Sequence, residues 1–156
     1  MARSQGQRSL SGITLISGLI IAQDGLQIPH DAKEILFNDV PDELATKAAE
    51  LVVPNSRSVT EDTISYVPWD DMPCTYIMCE LDQALPAQVA QWLLVSGGVK
   101  CEIVSIQSGH SPYLSMPDRT AAIIRRAAGE KDVILEGVEI KEKVGEEQGE
   151  AGWVRQ

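Results

Sequence analysis

Apolar residues fall along the chain in short blocks separated by turn-forming clusters, and the spacing inside each block predicts its structure. The run from 13 to 21, ITLISGLII, lacks clean alternation and is rich in Ile and Leu. That pattern predicts a strand covered on both faces of a parallel sheet, closed by the turn Gln23-Asp24-Gly25. Asp31 followed by Glu34 has the spacing of a capping box for a short helix through Phe37, and Pro41 with Asp42 and Glu43 opens a second helix. In that second helix Leu44, Ala48 and Leu51 recur at i, i+4, i+7 and are expected to form its buried face. The polar stretch from 53 to 63 predicts a loop, so 31–66 reads as a small helical insertion.

The second half alternates strand and helix. TYIMC, at 75 to 79, predicts a short buried strand. Pro86 then starts a helix with Val89, Ala90, Leu93 and Leu94 on one side, stopped at Gly97-Gly98. KCEIVSI, at 100 to 106, is the next strand, and after the loop QSGHSPYLSM a further helix begins at Pro117. Ser115 and Asp118 are expected to serve its amino-terminal end, Arg125 and Arg126 to complement its carbonyl-end dipole, and Gly129 to follow it. Strand, helix, strand, helix implies a short parallel α/β sheet with flanking helices. VILEGVEIK, at 133 to 141, predicts an added strand or hairpin. The organisation is a partial α/β domain over 1–130, with 31–66 as a helical cap, and an acidic extension over 131–156 that is expected to be partly disordered.

A chain of 156 residues fits one domain, against a prior of about 100–200 residues each. Its 44% hydrophobic content supplies a core and excludes wholesale disorder, although with only seven aromatic residues the packing must be mainly aliphatic. A formal charge of -10 argues against nucleic acid and anionic membranes as partners. Half of that charge lies between Glu130 and Glu150, and VGEEQGEAG at 144 to 152 reads as a solvated tail. Three cysteines, Cys74, Cys79 and Cys101, with no CxxC pair and two histidines, fit neither a disulfide framework nor a zinc site, so a reducing, cytoplasmic setting is expected. Arg3 and Arg8 before the apolar run imitate a signal peptide, but Ile20 is wrong for the cleavage position. The ten-residue stretch ITLISGLIIA, at 13 to 22, also falls short of the roughly 20 residues needed to span a bilayer.

In open parallel sheets ligands gather beyond the carboxyl ends of the strands. Asp82 stands just after strand 75–79 and His110 just after strand 100–106. On neighbouring strands the carboxylate can orient the imidazole through its Nδ1 proton, the acid and base half of a triad. Taken singly, Asp82 is an ordinary turn or capping residue and His110 an ordinary loop histidine. Tyr113 and Met116, beside His110, are placed to line a substrate pocket. Trp69 and Trp92 read first as core or cap contacts, and Trp69 is retained as a substrate-contact candidate. As replacement nucleophiles, Ser17 reads as a buried strand serine, Ser108 and Ser111 as loop-shaping residues and Cys79 as buried packing.

The segments TYIMCELDQALP and SIQSGHSPYLSMPDRTAAIIRRAAGE resemble the late part of α/β-hydrolases, in the branch of small esterases that includes plant methylesterases and hydroxynitrile lyases. ITLISGLIIAQDG resembles that family's sixth strand and exit turn, and ILFNDVPDELATKAAELVVPNS its helical cap, so the resemblance runs from about Ser11 to Glu130. It implies a truncated α/β-hydrolase fold with Asp82 as triad acid and His110 as base. It also implies five earlier strands and a G-x-S-x-G elbow, and no G-x-S-x-G occurs in the sequence. The family's oxyanion-hole donors would be missing with it. The function expected is therefore hydrolysis of a small organic ester or lactone by an Asp-His pair without a recognisable serine. The alternatives are a lyase, isomerase or cyclase using His110 as general base in small-molecule biosynthesis, and a non-catalytic truncated homologue that binds a partner. No metal or organic cofactor is implied, the partner is a small-molecule substrate, and dimerisation through an exposed edge at 13–21 is expected.

Overall fold

The computed structural model describes residues 19–21, 25–56, 58–61 and 63–144. Two three-stranded sheets and a set of short helices make up this region. β1 (Leu19–Ile21), β2 (Leu26–Pro29) and β3 (Asn55–Ser56) form an antiparallel sheet. Strand β4 (Thr75–Cys79) pairs in parallel with β5 (Cys101–Ile106), which pairs antiparallel with β6 (Val138–Val144).

The parallel placement expected for 13–21 is not what its described part adopts. Leu19–Ile21 lies antiparallel to β2, because only residues 22–25 connect them and a parallel pairing needs a crossover of about a dozen residues or more. Residues 13–18, and with them most of the predicted edge, lie outside the described residues, as does the tail beyond 144.

In the main sheet the alternation of β4 and β5 divides the side chains between two helices. Met78, Cys101 and Ile103 face Ala90 and Leu94 of α4 (Ala87–Ser96). On the opposite face Val104 and Ile106 pack with Ile123 of α6 (Pro117–Ala127), and Ile77, Cys79 and Val138 border them. Both strands carry apolar side chains on both faces, and each face is covered.

The sheet is mixed rather than purely parallel. After α6 the chain turns through Gly129, at φ +89°, and Leu135 joins the α6 side of the core. β6 thus begins opposite Ile106, at the carboxyl end of β5, and runs against it. Arg126 holds Glu102 of β5 by two hydrogen bonds, 2.5 and 3.0 Å, while Arg125 pairs with Glu130.

Within 31–66, α1 (Ala32–Leu36), α2 (Asp42–Glu50) and α3 (Ser58–Glu61) form the cap, so part of the loop expected at 53–63 is β3 and α3. Its core is Phe37, Val40 and Ala45, with Leu36, Ala48, Ala49, Val52 and Leu114 around them. Of the face predicted for α2 only Ala48 packs inward; Leu51, just past the helix, is 80% exposed and Leu44 42%, whereas Ala45 is 1% exposed. The stripe Ala45, Ala48, Ala49, Val52 has helical spacing too. Its small side chains admit Phe37 and Leu36 at close range, a fit that leucines would obstruct.

Asp118 lies in the first turn of α6 and Arg125 and Arg126 in its last, as expected, but the side-chain caps do not form. Asp31 sits in the left-handed region, φ 54° and ψ 48°, makes no cap bond and instead meets His30 Nδ1 at 2.5 Å. Met116, not a polar residue, occupies the N-cap of α6, and no side chain caps it. The loop before it is partly helical as well, with α5 at Pro112–Ser115. Among the described residues no helix is long and apolar enough to cross a membrane.

Candidate active site

Asp82 and His110 emerge from the carboxyl ends of the adjacent parallel strands β4 and β5. The ladder continues past the strands, with Glu80 N–H donating to the Ile106 carbonyl at 3.0 Å and Leu81 N–H to the Ser108 carbonyl at 2.9 Å. This holds the two loops side by side. His110 Nδ1 lies 2.9 Å from Asp82 Oδ2 and 3.1 Å from Oδ1. Against a carboxylate the attractive arrangement has the proton on Nδ1, which leaves the Nε2 lone pair free.

The carboxylate is fixed from behind. Asp82 Oδ1 accepts the N–H groups of Ala84 and Leu85, each at 2.8 Å. This turn geometry is the ordinary use of an Asp after a strand, and here it coexists with the bond to His110. The Asp82 side chain is 10% exposed and that of His110 41%. The acid is thus buried behind a base that reaches solvent.

Asn38 and Asp39, between α1 and α2, approach both loops, which the sequence did not signal. Asn38 Nδ2 donates to the Leu81 carbonyl at 3.0 Å. Ser108 Oγ donates toward Asp39 Oδ2 at 3.0 Å, with the Gly109 carbonyl also at 3.0 Å and Ser115 Oγ at 3.2 Å. Ser108 and Ser111 are buried, and among the described residues no serine hydroxyl is hydrogen-bonded to His110 Nε2. Asn-Asp before Val-Pro is a turn signal, but which surface that turn touches is a long-range property.

The predicted substrate contacts are distributed unevenly. Tyr113, in α5, is 60% exposed, and its hydroxyl accepts a long 3.4 Å bond from Ser111. The sulfur of Met116 accepts from the Arg119 guanidinium at 3.2 Å. Trp69 is half-buried in the single turn of 3-10 helix at Pro68–Asp70, outside both loops, and makes no hydrogen bond to the pair among the described residues. Trp92 is 53% exposed on α4.

Burial pushes the Cys79 thiol up to about 11, and the carboxylates of Asp82, Asp39 and Glu80 add to it. A thiol so protonated near neutral pH is a poor nucleophile. Glu80 is shifted the other way. Hydrogen bonds from Lys141, 2.7 Å, and from Ser105 hold its carboxyl below the usual range. Among the described residues no three His, Cys, Asp or Glu side chains cluster so as to hold a metal ion.

Comparison with known proteins places the chain in a family. Residues 7–123 match the alpha/beta hydrolase family. Over 98 residues the chain is 33% identical to the alpha/beta hydrolase nvfD of Aspergillus novofumigatus (strain IBT 16806), covering 63% of this chain and 39% of that protein. Polyneuridine aldehyde esterase has a similar fold, with a TM-score of 0.55 at 16% identity over 71% of this chain and 47% of the esterase chain. The chain therefore spans two-fifths to about half of the length of these relatives. With three-quarters of its residues inside the family match, and with the two loops following neighbouring parallel strands, the chain belongs to the α/β-hydrolase family.

Proposed function

We propose that the protein acts on a small organic ester or lactone, with His110 as general base and Asp82 as the group that orients it. The observation that carries this reading is the hydrogen bond from His110 Nδ1 to a carboxylate already anchored by two backbone N–H groups. Nε2 would take a proton from the attacking hydroxyl as the bond to the acyl carbon forms. Asp82 would stabilise the resulting imidazolium without accepting the proton, and the imidazolium would return it to the leaving alkoxide. The family membership supports the reaction class, and the esterase with a similar fold is compatible with it.

A second reading draws on a partly exposed His110 that meets no serine hydroxyl among the described residues. Here Nε2 removes a proton directly from the substrate, in an elimination, isomerisation or cyclisation. General base catalysis of this type contributes about 10² to 10⁴ in rate.

Incubation with a fluorophosphonate probe, read by intact mass, separates the two. A single adduct that disappears in His110→Ala supports the hydrolytic reading. No adduct, with no ester turnover dependent on His110, overturns it.

A further inference from the structure

We infer that Asn38 and Asp39 are positioning residues that brace the Asp82–His110 pair from the cap, an inference that rests on the function proposed for that pair. The backbone bond between Leu81 and Ser108 fixes the roots of the two loops, one residue short of Asp82 and two short of His110. It leaves the peptide at Gly109 and the swing of His110 undetermined. The cap turn supplies what is missing. On one side Asn38 Nδ2 bonds the carbonyl of Leu81, next to Asp82. On the other, Asp39 Oδ2 accepts from Ser108 Oγ, two residues before His110.

Gly109 lies between these anchors. A Cβ at Gly109 would run into the side-chain ends of Asn38 and Asp39, the latter at 2.6 Å, so these two side chains would have to shift to admit it. The space a side chain would occupy is filled by these cap side chains, so a residue larger than glycine would displace the groups that bond the two loops.

The cost of this arrangement is visible in Asp39. Its Oδ1 is buried without a hydrogen-bond partner among the described residues, which is unfavourable for a polar group. Leu114, next in α5 after Tyr113, packs into the cap core and ties the far side of the His110 loop to the same unit. Cap and catalytic loops thus form one packed body around the pair.

The test reads the pair directly. The sequence holds two histidines, so a His30→Gln background with ¹⁵N-labelled histidine leaves one imidazole to observe. In the parent protein the Nδ1 proton of His110 is expected far downfield of the amide envelope, slowed in its exchange by Asp82. Asn38→Ala, Asp39→Ala and Gly109→Ala are each expected to abolish that resonance, while Asp39→Asn, which keeps an acceptor for Ser108, restores it. Asn38 is exposed, so its variant folds even where Gly109→Ala does not. Retention of the resonance in both Asn38→Ala and Asp39→Ala overturns the inference, as does its absence from the parent. If the resonance behaves as expected but no substrate is turned over, the bracing stands and the proposed reaction falls. Where turnover exists, misplacement of the imidazole by about 1 Å is expected to lower kcat about 10²-fold.

Discussion

Asp82 holds two kinds of bond at once, and a pair of substitutions separates them. Asp82→Ala removes the acceptor for Ala84 N–H and Leu85 N–H, both at 2.8 Å, and the partner of His110 Nδ1. Each orphaned donor costs about 1–3 kcal/mol. Ala84 and Leu85 are only half-buried, so water partly replaces the lost acceptor. The low end applies to each, for a total of about 2 kcal/mol. In a chain of this size that lowers Tm by roughly 4–8 °C. Asp82→Asn keeps an oxygen for both N–H groups and is expected to cost under about 1 kcal/mol. Its amide N–H₂ then faces Nδ1, and two donors cannot share a bond. The imidazole answers by moving its proton to Nε2, leaving Nδ1 as acceptor. A ring protonated on Nε2 cannot serve as base, and turnover is expected to fall about 10⁴-fold. Thermal unfolding followed by circular dichroism reads the first effect, and ¹⁵N shifts of the His110 ring read the second. The reasoning is refuted if Asp82→Asn destabilises as much as Asp82→Ala, or if Nε2 remains unprotonated in the Asn variant.

Three further outcomes follow from the same structure. The Glu80 carboxyl is held low by Lys141 and Ser105, so its contribution is full above the ordinary carboxylate pKa and is lost as pH falls through the depressed folded value. Urea unfolding of Glu80→Gln should show a deficit of about 1 kcal/mol at pH 7, discounted for partial exposure, that vanishes in strong acid; a deficit independent of pH would contradict this. With its thiol pushed up to about 11, Cys79 should alkylate at least ~10-fold more slowly in the native protein than in urea at pH 8. Equal rates, mapped by peptide mass, would remove the burial argument. Ile123, 1% exposed between α6 and β5, should cost about 3 kcal/mol when changed to Ala, whereas Ile124, 59% exposed, should cost under about 0.5 kcal/mol. Similar denaturant midpoints for the two would show that the core is not where the α6 face places it.

The parts of this fold legible in the sequence are those determined within one element. Strands 75–79 and 101–106 announce themselves by short, largely apolar blocks, and α4 by Pro86 and the Gly97-Gly98 stop. Because Asp82 and His110 each follow such a strand at once, and the strands are parallel neighbours, the chain direction alone brings them to one edge. What could not be read is whatever depends on a partner distant in sequence. Leu44 and Leu51 satisfy helical spacing as well as Ala45 and Ala48 do, and only Phe37 and Leu36 on the other side decide between the stripes. The run 13–21 is apolar enough for a parallel sheet, yet its described part, Leu19–Ile21, pairs antiparallel with β2 across the short connection at 22–25. Asn38 and Asp39 are the sharpest case. Their local pattern specifies a turn, while their contacts with Leu81 and Ser108 span 43 and 69 residues. A polar residue that bonds across such a separation has no local periodicity to reveal it. The proximity of Asp82 and His110 thus follows from the order and direction of two strands, whereas that of Asn38 and Asp39 to the same loops depends on how the cap packs.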